Sequence, residues 1–159
     1  ILGITLSESG DFEGAFDNFH KALEIDPRNL DTLSALANLH NSQSEFESAT
    51  ARLIQIQEID SDDATVDYRL GVIHHQKGQI DDAIRKYEAC LVKDMKHTDA
   101  LYQLSHLYAA RGDMKNALLS SQKAADLKEK PLYRKRVDEI LENLGETLDE
   151  LMLEQDEAH

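Results

Sequence analysis

The sequence predicts an all-α fold made of helix pairs that repeat along the chain. The strongest observation is a series of alanines, each 34 residues after the previous one: Ala15, Ala49, Ala83 and Ala117. A fixed period of this length is typical of a repeat architecture. The second observation is composition. With 7 glycines and 2 prolines in 159 residues, few residues interrupt helices, which argues against a turn-rich β fold.

Other residue classes keep the same 34-residue step. A leucine is followed each time by a small residue, and a turn residue, an apolar residue and an acidic residue come later in each copy. The members are Leu2 and Gly3, Leu36 and Ala37, Leu70 and Gly71, Leu104 and Ser105; Gly10, Ser44, Gly78 and Gly112; Phe12, Phe46, Ile80 and Met114; and Asp26, Asp60 and Asp94. Chance does not keep several classes in register through four copies.

Each copy is predicted to form two short amphipathic helices. In the third copy, Leu70, Ile73 and His74 recur at helical spacing and give the first helix one inward face. Gly78 then interrupts the pattern. Asp81 lies at the start of the second helix, where negative charge suits the positive end of the helix dipole. The small residues let the paired helices approach closely, and a large side chain there would cost about 1–3 kcal/mol.

Composition and charge exclude several functional classes. Seventeen basic and 31 acidic residues give a formal net charge of −14, which argues against nucleic-acid binding because that affinity comes from basic surface. No run of 18 apolar residues is present, so no membrane span is expected. A single cysteine excludes an internal disulfide. We expect a soluble, cytoplasmic protein, and we interpret the start without methionine as that of a piece of a longer chain.

The sequence resembles the tetratricopeptide repeat family, whose 34-residue unit carries a Leu-Gly pair, a Tyr, an Ala and a terminal Pro. The copies depart from this pattern, since no Trp is present and only Pro27 keeps the terminal proline. The resemblance implies a right-handed superhelical solenoid of antiparallel helix pairs with a concave groove, and nine helices in all. The four repeats that match are 1–29, which is truncated, 30–63, 64–97 and 98–131.

The last repeat needs a helix that covers its apolar face. Residues 132–153 are predicted to form this capping helix after Pro131, and residues 154–159 to form an acidic tail. A homodimer or a neighbour contact through this helix is a candidate arrangement, because apolar residues continue toward its end. The apolar residues at helical spacing are Leu132, Tyr133, Val137, Ile140, Leu141, Leu144 and Leu148.

No catalytic or metal-binding motif is present. The phosphate-binding, nucleophile-elbow and zinc-protease signatures are absent, so we predict a protein that is not an enzyme and that carries no cofactor and no metal. Cys90 shares its phase with the apolar residues Ala22, Ile56 and Ala124, so a buried structural thiol is favoured over a nucleophile. His40 and His74 occupy the family's tyrosine place and are interpreted as partly buried polar residues.

The resemblance also implies a partner-binding groove along the first helices. Amides in such a groove hold the backbone of an extended peptide, tyrosines offer flat apolar area with a hydroxyl, and an arginine forks onto a carboxylate or phosphate. The residues carried over to this groove are Asn38, Asn41, Tyr68, Arg69, His75, Tyr102, Gln103 and His106.

Charge is distributed in three blocks. Residues 1–67 hold 14 acids and 3 bases, residues 68–136 hold 8 acids and 14 bases, and residues 137–159 hold 9 acids and no base. Two interpretations of the densest basic run stay open. It supplies helix-end and capping charge, or it forms a docking patch for an acidic partner. The run consists of Lys128, Lys130, Arg134, Lys135 and Arg136.

Two functions are consistent with these patterns. The first is a non-enzymatic protein–protein interaction module that binds a peptide or helix of a partner in its concave groove. The second is a structural spacer in a larger multi-subunit assembly, such as a cytoskeletal or transport complex, that contacts its neighbours through its ends and its convex face.

Overall fold

The computed structural model describes the backbone of residues 11–157 and the side chains of residues 11–146. Eight helices form this part of the chain, and it contains no strand, so the all-α prediction is confirmed. A partial first helix that would bring the total to nine falls in residues 1–10, outside the described residues. The helices are α1 (Phe12–Ile25), α2 (Leu30–Ser42), α3 (Phe46–Ile59), α4 (Ala64–Gln76), α5 (Ile80–Lys93), α6 (Thr98–Ala110), α7 (Met114–Leu127) and α8 (Pro131–Glu157).

Within each helix pair, one residue with a left-handed backbone makes the turn. Its φ is 61° at Ser44 between α2 and α3, 72° at Gly78 between α4 and α5, and 76° at Gly112 between α6 and α7. Glycine takes this conformation without steric strain because it has no Cβ. The three described members of the 34-residue series of turn residues therefore share one backbone geometry, which Ser44 adopts although it carries a side chain.

The loops between helix pairs are repeated as well. Asp26, Asp60 and Asp94 each follow a second helix, and each carboxylate accepts a hydrogen bond from the backbone N–H two residues later, at 3.2, 3.1 and 3.0 Å. Such Asx turns redirect the chain. At the starts of α2 and α4, the side chains of Asn29 and Asp63 accept hydrogen bonds from first-turn N–H groups. The acidic series of the sequence thus marks the loop that leads to the next pair.

The helices form two compact units that divide within α5, one ending at Lys86 and the other beginning at Tyr87. In the first unit, Ala49 has no exposed area, because α3 packs closely on its neighbours there. A smaller cluster of Ala15, Phe19, Leu36 and Leu39 joins α1 to α2. The main core cluster of this unit joins α2, α3 and α4 and consists of Leu33, Ala37, Ala49, Leu53, Ile56, Val66, Leu70 and Ile73.

The second unit is packed around α6, α7 and the first part of α8. One of its core clusters is formed by Leu101, Ala124 and Tyr133. Ser105, the small residue that follows a leucine of the repeat series, has no exposed area. Cys90 is fully buried, which agrees with its interpretation as a structural core residue.

The residues of the capping helix are shifted by one place relative to the first helices of the preceding repeats. The loop before α8 has three residues, whereas the loops before α2, α4 and α6 have four. Tyr133 and Ile140 are fully buried, but Leu132 and Leu141 are 52% and 50% exposed. Leu132 and Leu141, two of the apolar residues at helical spacing, therefore do not lie on the buried face. The shorter loop shifts the residues of α8 by one place relative to the earlier first helices, and consecutive residues lie about 100° apart around a helix.

The capping helix also extends farther than expected. α8 ends at Glu157 rather than at residue 153, so residues 154–157 continue the helix instead of forming a tail. Residues 158–159 lie outside the described part. The side chain of Leu148, and those of the other apolar residues near the end of α8, lie beyond the described side chains as well, so the homodimer through this helix stays a prediction.

Candidate functional site

In the first unit, α2, α3 and α4 surround a cavity of about 250 Å³. Four of the eight predicted groove residues, Asn38, Asn41, Tyr68 and Arg69, come together there. The apolar members of the lining are mostly buried, whereas the polar members are half-buried or exposed, so the cavity has an apolar floor and a polar rim. The lining residues are Ala37, Asn38, Asn41, Leu53, Tyr68, Arg69, Val72 and Ile73.

Arg69 joins α4 to α2 at the rim of this cavity. Its guanidinium donates hydrogen bonds to Ser34 Oγ at 2.7 Å, to the Ser34 carbonyl oxygen at 2.9 Å and to Asn38 Oδ1 at 2.5 Å. Burial lowers the pKa of Arg69 below its ordinary value, and the negative charge of Asp63 opposes this effect. The guanidinium already donates three hydrogen bonds inside the fold, so Arg69 positions Asn38. For the same reason it is less available for a bidentate hydrogen bond to a ligand carboxylate or phosphate.

Asn41 carries an unsatisfied polar atom beside the cavity. Its amide oxygen Oδ1 is buried and has no hydrogen-bond partner among the described residues. Leaving a buried acceptor without a partner costs about 1–3 kcal/mol. A ligand N–H group that reached this oxygen would remove the penalty.

The cavity lining differs from the predicted groove residues at His75 and at the cavity floor. His75 is half-buried in the last turn of α4 and is not among the residues that line the cavity. Leu53 of α3 and Ile73 of α4 provide the floor, and neither was among the predicted groove residues. The resemblance to the family implies which face of the first helices lines the groove, but it does not show that Leu53 of the second helix α3 lines the same cavity.

In the second unit, the predicted groove residues lie beside the capping helix. The ring of Tyr102 is centred 4.6 Å from the His106 ring and 5.3 Å from the Tyr133 ring. Tyr133 donates a hydrogen bond from its hydroxyl to Asp99 Oδ1 at 2.8 Å. Gln103 follows Tyr102 on α6 and is half-buried. Tyr133 was predicted only as part of the apolar stripe of the cap, so its place in this aromatic cluster was missed.

Arg136 does not belong to an exposed basic patch. Its side chain is only 12% exposed, and it donates hydrogen bonds to the Ser105 carbonyl oxygen and to Glu139 Oε2, both at 3.3 Å. Little of the Arg136 side chain is therefore available to a docking patch, because it packs against α6 and is hydrogen-bonded within the fold. The docking patch itself stays a prediction.

The other four cations of the basic run are exposed. Three of them lie near an acidic or aromatic neighbour, and Lys128 lies just after α7. Lys128 lies at the C-terminal end of α7, where the helix dipole favours positive charge, whereas Lys130, Arg134 and Lys135 lie at the start of α8, where it does not. Both interpretations of the basic run therefore stay open. The contacts are Arg134 with Glu129 at 3.4 Å, Lys135 with Glu139 at 3.6 Å, and Lys130 at 5.5 Å from the centre of the Tyr133 ring.

The described residues also bear on metal binding and on membrane insertion. Among the described residues, no three His, Cys, Asp or Glu side chains lie close enough together to hold a metal ion. Over the same part of the chain, no helix combines the length and the apolar character that crossing a membrane requires.

Comparison with known families identifies the repeat. Three family models, each of a tetratricopeptide repeat, match residues 6–68, 68–98 and 98–131. The chain belongs to the tetratricopeptide repeat family. Tetratricopeptide repeats serve in general as protein-interaction scaffolds.

Solved structures share the fold of this tetratricopeptide repeat protein. A crystal structure of MamA matches with a TM-score of 0.77 and 23% sequence identity, covering 91% of this chain and 85% of that chain. A second crystal structure of MamA gives a TM-score of 0.71 at 22% identity, with 92% and 86% covered. A structure of MamA MSR-1 gives 0.65 at 22% identity, with 80% and 74% covered. Comparison with curated protein sequences gave no match.

Proposed function

We propose that this tetratricopeptide repeat protein is a non-enzymatic interaction module that binds a peptide segment of a partner protein, with the cavity between α2, α3 and α4 as the anchor site. The observation that carries the proposal is the buried, unpaired Oδ1 of Asn41 beside an apolar floor. A peptide supplies both missing components, because its backbone carries N–H groups and its side chains include apolar ones.

The size of the cavity favours one peptide side chain. At about 250 Å³, it is smaller than the roughly 300–1,000 Å³ of typical small-molecule sites. Its floor is apolar, since Ala37, Leu53 and Ile73 are all buried. Burial of a leucine- or phenylalanine-sized side chain against such a floor contributes about 1.5–3 kcal/mol.

The polar rim suits an extended backbone. Asn38 and Asn41 are three residues apart and share one face of α2. Since Oδ1 of Asn38 accepts from Arg69, the Asn38 amide nitrogen can donate to a peptide carbonyl. Asn41 Oδ1 can accept from a peptide N–H when the Asn41 side chain turns its amide toward the cavity. The hydrogen bond from Arg69 fixes Asn38 before binding, which reduces the entropy lost when the complex forms.

A peptide selection tests the proposal. A phage-displayed library of random peptides is selected on the full chain, and the Kd of each selected peptide is measured by fluorescence anisotropy. The variant Asn41→Leu keeps the approximate size of the side chain and removes the amide. We expect it to raise the Kd roughly tenfold, because one buried hydrogen bond is lost and a peptide N–H is left unpaired.

The matched control is Gln43→Leu, which also replaces an amide by a leucine. Gln43 is exposed at the C-terminal end of α2, outside the cavity, so the Kd should stay at the wild-type value. Circular dichroism of both variants verifies that the helices persist. Selected peptides that bind wild type and Asn41→Leu equally well would contradict the proposal, and so would a library without binders, which would favour the structural spacer instead.

A further inference from the structure

The capping helix α8 is about twice as long as the helices whose place it takes. The first helices α2, α4 and α6 have 13 residues each, and α8 has 27. Residues 131–143 correspond to one such helix, and residues 144–157 have no counterpart in the earlier repeats. The stacking of repeats does not require this second half of α8.

The charges of α8 are arranged against its helix dipole. The N-terminal end of a helix favours negative charge and the C-terminal end favours positive charge. In α8 the order is reversed, because Arg134 and Lys135 lie in the first two turns, whereas residues 137–157 contain acids and no base. A second α8 that runs in the opposite direction has the complementary order of charges, so its acidic end lies beside the basic end of the first.

The contacts that these two cations make within their own chain contribute little. Arg134 is 69% exposed and lies 3.4 Å from Glu129, and Lys135 is 75% exposed and lies 3.6 Å from Glu139. Exposed ion pairs of this kind contribute about 0–1 kcal/mol. The acidic end of the same helix does not reach them, because residue 150 lies about 22 Å along the helix axis from residue 135. That end reaches the cations only from a second copy of the chain.

An apolar stripe beside the buried face of α8 provides a contact surface for such a copy. Val137, Leu141 and Leu144 follow one another at steps of four and three residues, and the sequence continues these steps at Leu148 and Leu151. Alternating steps of four and three are typical of a helix in a two-stranded coiled coil. Leu141 is 50% exposed, and Val137 and Leu144 are half-buried, so the helices of the same copy leave this stripe partly uncovered.

We propose that α8 is a dimerisation element that pairs with the antiparallel α8 of a second copy of this chain. A two-fold axis relates the copies, so every contact occurs twice. Leu141 of each copy packs against Leu144 of the other, and Arg134 and Lys135 come beside the acidic segment 149–154. A parallel pair places like charges together at both ends, so the charge order of α8 selects the antiparallel one.

Substitution within the apolar stripe tests the contact surface. Sedimentation equilibrium of the full chain should show a dimer that dissociates on dilution, and Leu141→Lys should raise its Kd roughly tenfold, because each copy then buries a charge in the interface. The matched control is Leu132→Lys. Leu132 is 52% exposed and lies on the opposite side of α8, so the Kd should change by less than about twofold, since consecutive residues are about 100° apart.

Charge reversal tests the pairing of the two ends. Arg134→Glu/Lys135→Glu should raise the Kd of the dimer roughly tenfold, because attractive contacts in both halves become repulsive. Lys21→Glu/Arg28→Glu changes the net charge by the same amount at two exposed positions of the first unit. This control should change the Kd by less than about twofold, because charges farther apart than a Debye length of ~8 Å are largely screened at physiological salt.

Cysteine cross-linking tests the direction of the pair. The proposed register brings residue 134 of one copy opposite residue 151 of the other. A mixture of Arg134→Cys and Leu151→Cys should form disulfide-linked dimers under mild oxidation, whereas neither variant alone should, and Cys90 is buried and should not react. Cross-linking of Arg134→Cys with itself would show a parallel pair and overturn the proposal. A wild-type chain that stays monomeric, or equal weakening by a variant and its control, would overturn it as well.

Discussion

At the scale of single residues, the side chains at one position of the repeat, His40 and His74, make a polar contact near the start of the second helix of their pair. In α2, His40 Nδ1 lies 2.6 Å from Glu45 Oε2, and in α4, His74 Nδ1 lies 2.8 Å from Gln79 Oε1. Both histidines contact the residue five positions later, just before the second helix of the pair. Their interpretation as partly buried polar residues agrees with these contacts.

Tyr108 occupies the same place in α6 with a different partner. Its hydroxyl donates a hydrogen bond to Glu88 of α5 at 2.5 Å. Burial, and then the hydrogen bond and charge of Glu88, raise the pKa of Tyr108 well above the ordinary phenol value of 10. The folded state therefore keeps the proton at a pH at which the unfolded state loses it. This contribution to stability is complete below pH ~10 and is lost as the pH rises further.

The titration of Tyr108 is a direct prediction. Phenolate absorbance is followed with pH in wild type and in Tyr108→Phe, so that the difference curve reports this residue. We expect a midpoint above 10, together with a smaller loss of stability above pH ~10 in the variant than in wild type. A midpoint at or below 10 would show that the hydroxyl is neither buried nor bonded to Glu88 in solution.

At the scale of helices, the capping helix shows how one loop residue changes which side chains are buried. The loop before it contains Lys128 where the earlier loops contain Asp26, Asp60 or Asp94, so the Asx turn of the other loops is missing. With the 33-residue step, Tyr133 and Ile140 take the buried places of Ala100 and Leu107. A lysine at the Asx place was the sequence signal that could have revealed the shift.

The left-handed turn residue gives a prediction for the first unit. Ser44 has a φ of 61°, a conformation that costs a residue with a Cβ roughly 1–2 kcal/mol relative to the right-handed one. Ser44→Gly should raise the free energy of unfolding by about 1 kcal/mol, measured by urea denaturation. The gain is partly offset because glycine also increases the entropy of the unfolded chain.

Gly78 provides the reciprocal control for this prediction. Its φ is 72° and a Cβ added there would meet nothing within 4 Å, so only the backbone conformation opposes a side chain. Gly78→Ser should lower the stability by about as much as Ser44→Gly raises it. If both substitutions shifted stability in the same direction, a cause other than the left-handed conformation would be acting.

At the scale of the whole molecule, the chain divides into two compact units, each with its own core clusters. In repeat proteins each element packs mainly on its sequence neighbours, so stability is close to a sum of local terms. A core defect is therefore expected to act mostly on the helices around it.

Leu53→Ala tests this locality. Leu53 is 1% exposed in the core of the first unit, and its truncation should cost about 3 kcal/mol. Hydrogen exchange followed by mass spectrometry should show the greatest loss of protection in α2, α3 and α4, with α7 and α8 changed much less. Equal loss in all helices would mean that the chain unfolds as one cooperative body.

The sequence alone determined the repeat, its 34-residue register and the all-α class. These follow from requirements that recur locally in each copy. A small residue is needed where helices approach, a glycine where φ is positive, and an aspartate where a loop turns. The resemblance to the family added the expectation that Asn38, Asn41, Tyr68 and Arg69 lie along the groove-lining face of the first helices.

Only the tertiary structure decided what those side chains do. It paired Arg69 with Ser34 and Asn38, left Asn41 Oδ1 without a partner, and turned Arg136 into the interior. Such outcomes depend on which groups meet across helices about 30 residues apart in sequence. A periodic pattern fixes the face on which a side chain lies, but the hydrogen bonds it makes are decided by packing against groups that the pattern does not specify.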